Sequence, residues 1–98
     1  MESFNDLINS EKPVLVDFSA DWCGPCKMMA PVIKELSSEI GDLARIIKVD
    51  VDRNPKAAAK YQIRGVPTFI LFRKGNIQWR QSGAIPKDVL KNAIMSNT

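Results

Sequence analysis

Trp22-Cys23-Gly24-Pro25-Cys26-Lys27 holds both cysteines of the chain, and the segments on either side of it decide how they are used. Upstream, Val14-Leu15-Val16-Asp17-Phe18 is a short apolar run rich in β-branched residues, the pattern of a buried strand over about 13–19. Downstream, Met29, Val32, Ile33, Leu36 and Ile40 recur at helical spacing and predict a helix over about 24–40. Gly41 suits the position just past its end. The C-x-x-C therefore falls where a strand stops and a helix starts. First-turn N–H groups of a helix have no intrahelical partners and carry partial positive charge. A thiol placed there is stabilised as thiolate, the nucleophilic form. Pro25 fits that turn because its missing N–H would have been unpaired anyway.

On this geometry Cys23, ahead of the helix, is expected to face solvent and attack a substrate disulfide. Cys26, one turn in, is expected to lie behind it and resolve the mixed disulfide. Three other uses of the pair compete less well. Zinc normally takes four ligands, and the chain has two Cys and no His. An iron–sulfur cluster needs a second copy of the motif from a partner chain. A structural bridge closing so small a loop contributes little entropy. Dithiol redox chemistry is the reading that the strand-to-helix position favours.

Asp17-Phe18, Ala20, the run 22–27, Pro31 and Gly65-Val66-Pro67-Thr68 together resemble the thioredoxin family, and Gly75 and Gly83-Ala84 extend the match over nearly the whole chain. The resemblance implies an α/β thioredoxin fold in a single domain, residues 1–98. It implies a four-stranded mixed sheet of order 2-1-3-4 with helices on both faces. Many family members carry one more strand before the first helix, and this chain is expected to lack it. The implied activity is general protein disulfide reduction through a Cys23/Cys26 dithiol–disulfide cycle. Re-reduction would come from an NADPH-dependent flavoprotein thioredoxin reductase. No cofactor is expected on the chain beyond its redox-active disulfide, and a monomer is expected.

Length and composition agree with one modest core. Ninety-eight residues, 45% hydrophobic and 26% charged, suit one globular domain. Two cysteines three positions apart are no secreted disulfide framework. The start, Met1-Glu2-Ser3-Phe4-Asn5-Asp6, has no basic region followed by an apolar stretch, so no signal peptide is expected. Apolar runs are too short to span a membrane. A cytoplasmic location follows as the default. The net charge of +3 comes from scattered Lys and Arg, the longest run being Arg73-Lys74. No basic stripe interleaved with aromatics points to nucleic acid. A mild bias toward acidic protein partners is the most that charge supports.

Along the chain, Ser3 with Asp6 resembles a capping box ahead of a short helix that Lys12-Pro13 terminates. Asp17 interrupts a run otherwise apolar on both faces. An unpartnered buried carboxylate is costly, so it is expected to be protonated or hydrogen-bonded; the plainer reading is a strand that turns Asp17 to solvent. The resemblance matches Asp17 to the buried acid that relays protons to and from Cys26. Ser19 departs from the family, which often has an aromatic there. A second strand is predicted over Leu43–Val51. Within it Lys48 reads either as a surface lysine whose stem covers apolar area or, by resemblance, as a neighbour that tunes Asp17.

Asn54-Pro55 opens a short helix to about Tyr61. Thr68–Arg73 is the third strand, and Lys74-Gly75-Asn76 a turn. Ile77–Ser82 returns with Ile77 and Trp79 predicted on one face, Gln78 and Arg80 on the other. Pro86 starts the last helix, whose Val89, Leu90, Ala93 and Ile94 form a core stripe. Pro31 is expected to kink the central helix. Pro67 reads by itself as a trans turn before a strand; the resemblance makes it cis and sets it against the cysteines. By resemblance Trp22, Gly24, Pro25, Val66, Pro67, Gly83 and Ala84 form a flat docking surface for an extended substrate peptide.

Two rivals remain. One is an oxidase or isomerase of the same fold, against which Gly24-Pro25 between the cysteines resembles the reducing branch of the family. A binding module would not use its thiols at all.

Overall fold

The computed structural model describes residues 3–98. Its centre is strand β1 (Val14–Ser19), buried along its whole length, as its unbroken apolar run requires. β2 (Arg45–Asp50) pairs with it in parallel on one side and β3 (Thr68–Arg73) antiparallel on the other. β4 (Asn76–Ser82) completes a sheet of order β2-β1-β3-β4, the predicted order. The β1–β2 connection runs through the long helix α2 (Gly24–Ile40), since parallel neighbours need a crossover. β3 and β4 need only a hairpin, and Lys74 (φ 54°) and Gly75 (φ 81°) supply the two left-handed residues of its turn.

Period-two alternation divides the sheet residues between two layers. Leu15, Phe69 and Leu71 meet Met29 and Leu36 of α2, and Leu90 and Ile94 of α4 (Lys87–Met95). Val14, Val16, Phe18, Ile70 and Phe72 face the opposite way, against α1 (Phe4–Ile8) and α3 (Pro55–Lys60). There Phe4, Phe18, Tyr61 and Phe72 form an aromatic cluster. Tyr61 and Phe72 meet edge-on with centroids 5.1 Å apart, and Phe4 lies 5.7 Å from Tyr61. Such tilted contacts are favourable beyond the area they bury. They hold the two short helices, too short to persist alone, onto the sheet.

Ser3 caps α1 as expected: its Oγ accepts the Asp6 N–H and Asp6 Oδ2 accepts the Ser3 N–H, each at 3.2 Å. Several boundaries differ from the sequence reading. α1 stops at Ile8, before Lys12-Pro13. α2 has the expected span with Pro31 inside it, but it then tightens into a 3-10 turn over Gly41–Leu43. That turn claims Leu43, assigned above to the second strand, because 3-10 bonds satisfy carbonyls left over at a helix end. β2 consequently starts at Arg45 and stops before Val51. Pro86 is the cap of α4, not its first residue.

One difference reverses a side chain. Leu71 pairs with Trp79 but Phe72 with Ile77, so Gln78 is an extra residue in β4. Such a bulge breaks strict alternation. Trp79 joins the layer beneath α2 and α4, while Ile77 falls on the opposite face and is 48% exposed. The expectation that the two share a face is therefore wrong. Trp79→Ala should cost about 2–3 kcal/mol in urea denaturation, somewhat under the loss for a fully buried ring. Ile77→Ala should cost under about 1 kcal/mol; equal losses would restore simple alternation.

Candidate active site

The pairing registers bring three distant loops to one end of the sheet. Ser19 at the end of β1 lies beside Asp50 at the end of β2, and Phe18 lies beside Thr68 at the start of β3. Ser82 at the end of β4 also pairs with Thr68. The loops 20–23, 51–54 and 65–67, and Gly83, must therefore meet there.

The first loop is a tight turn, closed by the Cys23 N–H donating to the Ala20 carbonyl at 3.2 Å. Cys23 is then the N-cap of α2, with extended backbone (φ −89°, ψ 114°). Its Sγ does what a capping serine oxygen does: it accepts the Cys26 N–H at 3.1 Å. The sulfur thus sits on the positive end of a 17-residue helix. Cys23 and Cys26 are joined as a disulfide, Cα atoms 5.3 Å apart.

Exposure does not separate the two sulfurs as expected. Cys23 is 3% and Cys26 6% exposed, because Ala20, Val51 and Val66 pack around the pair. Their surroundings do separate them. Cys23 Sγ lies 3.6 Å from the Val66 carbonyl oxygen, just before Pro67. Cys26 lines a cleft of about 150 Å³ together with Asp17 and Lys48.

Asp17 shares the face of Leu15 and is 6% exposed, so it does not turn to solvent. Its Oδ1 has no hydrogen-bond partner among the described residues. Burial pushes its pKa up to about 6, against the smaller opposing pull of the Lys48 charge. Lys48 is its in-register neighbour on β2, and its side chain belongs both to the exposed surface and to the Asp17 cleft.

The Val66–Pro67 peptide is cis, Pro67 is buried and Val66 half-buried. The Pro67 carbonyl accepts the Gly83 N–H at 2.8 Å, which draws the end of β4 to this turn. Gly83 has φ +94°, and a Cβ there would meet no atom within 4 Å. Its backbone, not crowding within the fold, is what demands glycine. Thr68 Oγ1 holds the turn from below through the Gly65 carbonyl at 2.7 Å. Trp22, Gly24, Pro25 and Ala84 are exposed around the pair. Trp22, Val66, Pro67 and Gly83 thus lie with the cysteines at one end of the sheet, and Asp17 and Lys48, two residues inside their strands, reach the pair through the cleft beside Cys26.

Asp50, Val51, Asp52 and Ser19 were not singled out as part of the site. Trp22, 69% exposed, is held by Nε1 donating to Asp52 Oδ2 at 2.8 Å. Asp52 is in turn positioned by its N–H on Asp50 Oδ1 at 2.8 Å. Val51 packs on the cysteines. Ser19 is 1% exposed with its Oγ unpartnered among the described residues, on the same face as Asp17. Separations of about thirty residues leave no local signal for the Trp22–Asp52 pairing; Ser19 alone stood out, as a departure from an expected aromatic. No group of three metal-ligating side chains forms among the described residues.

Comparison with known proteins places these features in context. The family model Thioredoxin matches residues 1–96. Thioredoxin 1 of Chlorobaculum tepidum is 46% identical over 95 residues, covering 96% of this chain and 94% of the relative. The chloroplastic thioredoxin Y2 of Arabidopsis thaliana is 48% identical over 93 residues, covering 94% of this chain and 56% of its own length. A mutant thioredoxin from Halobacterium salinarum NRC-1 superposes with a TM-score of 0.87 at 41% identity, covering 96% of this chain and 81% of that one.

The raised pKa of Asp17 makes a stability prediction. Between pH 3.8 and about 6 the unfolded chain has released this proton and the folded chain retains it. The unfolded state binds fewer protons there, so stability falls as pH rises through that window. The full loss, about 3 kcal/mol, is present above it. Asp17→Asn should flatten this dependence and stabilise the disulfide form by up to about 3 kcal/mol at pH 7, with no gain below pH 4. Urea titrations across that range measure it; a variant less stable than the parent at pH 7 would overturn the assignment.

Proposed function

Because this chain belongs to the thioredoxin family, whose members are thiol–disulfide oxidoreductases, we propose that it is a general protein disulfide reductase. The observation that carries this reading is the inequality of the two sulfurs. Cys23 Sγ caps α2 and accepts the Cys26 N–H, while Cys26 shares its cleft with the buried carboxylate of Asp17.

The reduced pair works in two displacements. Cys23, held as thiolate by the helix terminus and the Cys26 N–H, attacks one sulfur of the substrate disulfide. A bond forms between that sulfur and Cys23 Sγ, and the other substrate sulfur leaves as thiolate and takes a proton. Cys26 then gives its proton to Asp17, and its thiolate attacks Cys23 Sγ. The second substrate sulfur leaves and is protonated in turn. Substrate has gained two electrons and two protons, and the Cys23–Cys26 disulfide is restored. A base with a pKa near 6 is ionised at neutral pH yet close enough to it to hold a proton transiently. Lys48 tunes that value through its charge.

Substrate docking is assigned to the apolar surface of Trp22, Gly24, Pro25, Val66, Pro67, Gly83 and Ala84. The half-buried Val66 backbone beside Cys23 suits strand-like pairing with an extended peptide, and Gly83 leaves that approach clear. The electrons return from NADPH through a flavoprotein thioredoxin reductase. The working unit is a monomer. Since relatives include a chloroplastic protein, the compartment is taken only as a reducing one.

Cys23→Ser should abolish NADPH-coupled insulin reduction with a thioredoxin reductase. Cys26→Ser should accumulate substrate on Cys23, visible by intact mass and peptide mapping. Substrate trapped on Cys26 by Cys23→Ser would reverse the assignment. Asp17→Asn should slow resolution of the mixed disulfide about tenfold or more at pH 7, while leaving its formation near the parent rate. An unchanged resolution rate would remove Asp17 from the mechanism.

A further inference from the structure

Away from the cysteines, an open groove of about 500 Å³ separates α1 from α3. Its rings are Phe4 and Tyr61, and its charges are Arg53, Lys56 and Lys60; none of the described residues lining it is acidic. Lys56 and Lys60 stand four apart on α3, hence on one side of it, and like charges so placed repel. Lys60 Nζ also lies 5.5 Å from the centroid of the Tyr61 ring. Arg53 meets Asp21 only at 3.6 Å, both side chains more than three-quarters exposed. A pair so wet is weak, and its guanidinium is free to exchange partners.

The loop 51–54 links the groove to the docking surface, since Arg53 lines the groove and meets Asp21, the neighbour of Trp22. Arg53 follows Asp52, which holds Trp22, and Asp21 precedes Trp22. A polypeptide seated across Trp22 can therefore continue past Arg53 into the groove. Small-molecule sites enclose most of their ligand; this groove is open and presents its cations on long stems. Those features suit an extended chain bearing carboxylates, its aliphatic parts against Phe4 and Tyr61.

We propose that this groove is an auxiliary docking site for an acidic segment flanking the disulfide of the substrate protein, so that the chain reduces acid-flanked disulfides preferentially. The proposal rests on the disulfide-reductase reading and names a substrate class for it. Acidic partners gain mainly in encounter rate, an advantage that salt removes.

Two disulfide peptides alike except for an acidic or neutral flank provide the test. The parent should favour the acidic one several-fold in kcat/KM at low ionic strength, and the preference should vanish near about 0.5 M salt. Lys56→Glu should bring the acidic-to-neutral ratio down toward one at low salt. That substitution puts an acid in the first turn of α3, four residues before Lys60, an arrangement that supports the helix. Lys34→Glu changes net charge equally from α2, on the opposite face of the sheet, and should leave the ratio at the parent value. Equal ratios for parent and Lys56→Glu, or equal loss in Lys34→Glu, overturn the proposal.

A second measurement is independent of redox activity. The acidic peptide with serines for its cysteines should shift the NMR resonances of Tyr61 and Lys60 in the parent and not in Lys56→Glu. If neither disulfide peptide is reduced but this binding persists, the reductase reading fails and the groove stands. If both are reduced alike and no binding is seen, the groove fails alone.

Discussion

Everything at the active end depends on β1 being covered on both faces and paired on both edges. A strand in that position has no freedom of register, because a slip of one residue would exchange its two layers. Its parallel pairing with β2 and antiparallel pairing with β3 decide which loops share an end. Trp22 and Cys23, Val51 and Asp52, and Val66 and Pro67 come from three separate connections. They meet because Ser19, Asp50 and Thr68 are neighbours. The same burial makes Asp17 costly. A carboxylate in this strand opposes stability whenever it is ionised: among the described residues nothing hydrogen-bonds its Oδ1, and the Lys48 charge offsets only part of that cost.

The two cysteines illustrate how environment, more than exposure, assigns chemistry. Both are buried to a similar degree. One sulfur takes the place of a helix-capping oxygen and faces the Val66 carbonyl; the other opens onto the Asp17 cleft. The cap favours negative charge on Cys23 at all times, because the helix dipole is permanent. The Asp17 carboxylate shares a cleft with Cys26 alone of the two. Three residues of sequence separate groups whose surroundings differ this much because a single helical turn carries the chain from the helix end to its inner face.

The opposite layer serves a different purpose. The aromatic cluster around Phe4, Phe18, Tyr61 and Phe72 fixes α1 and α3 on the sheet and sets the walls of the groove between them. Arg80, reaching across from β4, donates to the Gln62 carbonyl at 2.9 Å and also to that of Tyr61, tying the end of α3 to the edge strand. A binding surface on that side is therefore supported by rigid elements joined to the active end through the loop 51–54.

Local pattern alone determined a good deal. The apolar run of β1, the helical spacing after Pro25, and the turn residues around Gly75 were enough for most of the elements and, with the crossover rule, for a parallel first pair and a final hairpin; the sheet order came from the resemblance. These are properties of periods 2 and 3.6 and need no knowledge of distant residues. The C-x-x-C at a strand-to-helix junction identified dithiol chemistry for the same reason: a helix terminus acts on its own first turn. The apolar neighbours of Asp17 also pointed to its burial, and the resemblance to thioredoxin added the cis Pro67; both are present in the structure. Tertiary structure alone decided the rest. The bulge at Gln78 separates Ile77 from Trp79, and no local residue announces it because it arises where two strands fail to match in length. The 3-10 turn at Gly41–Leu43 takes in Leu43, whose apolarity suited a strand, because a helix end must satisfy its carbonyls first. Asp52 holds Trp22, and α1 faces α3 across a cationic groove, only because the sheet register sets those loops and helices together. Contacts between residues thirty or more apart leave no periodic trace in a sequence.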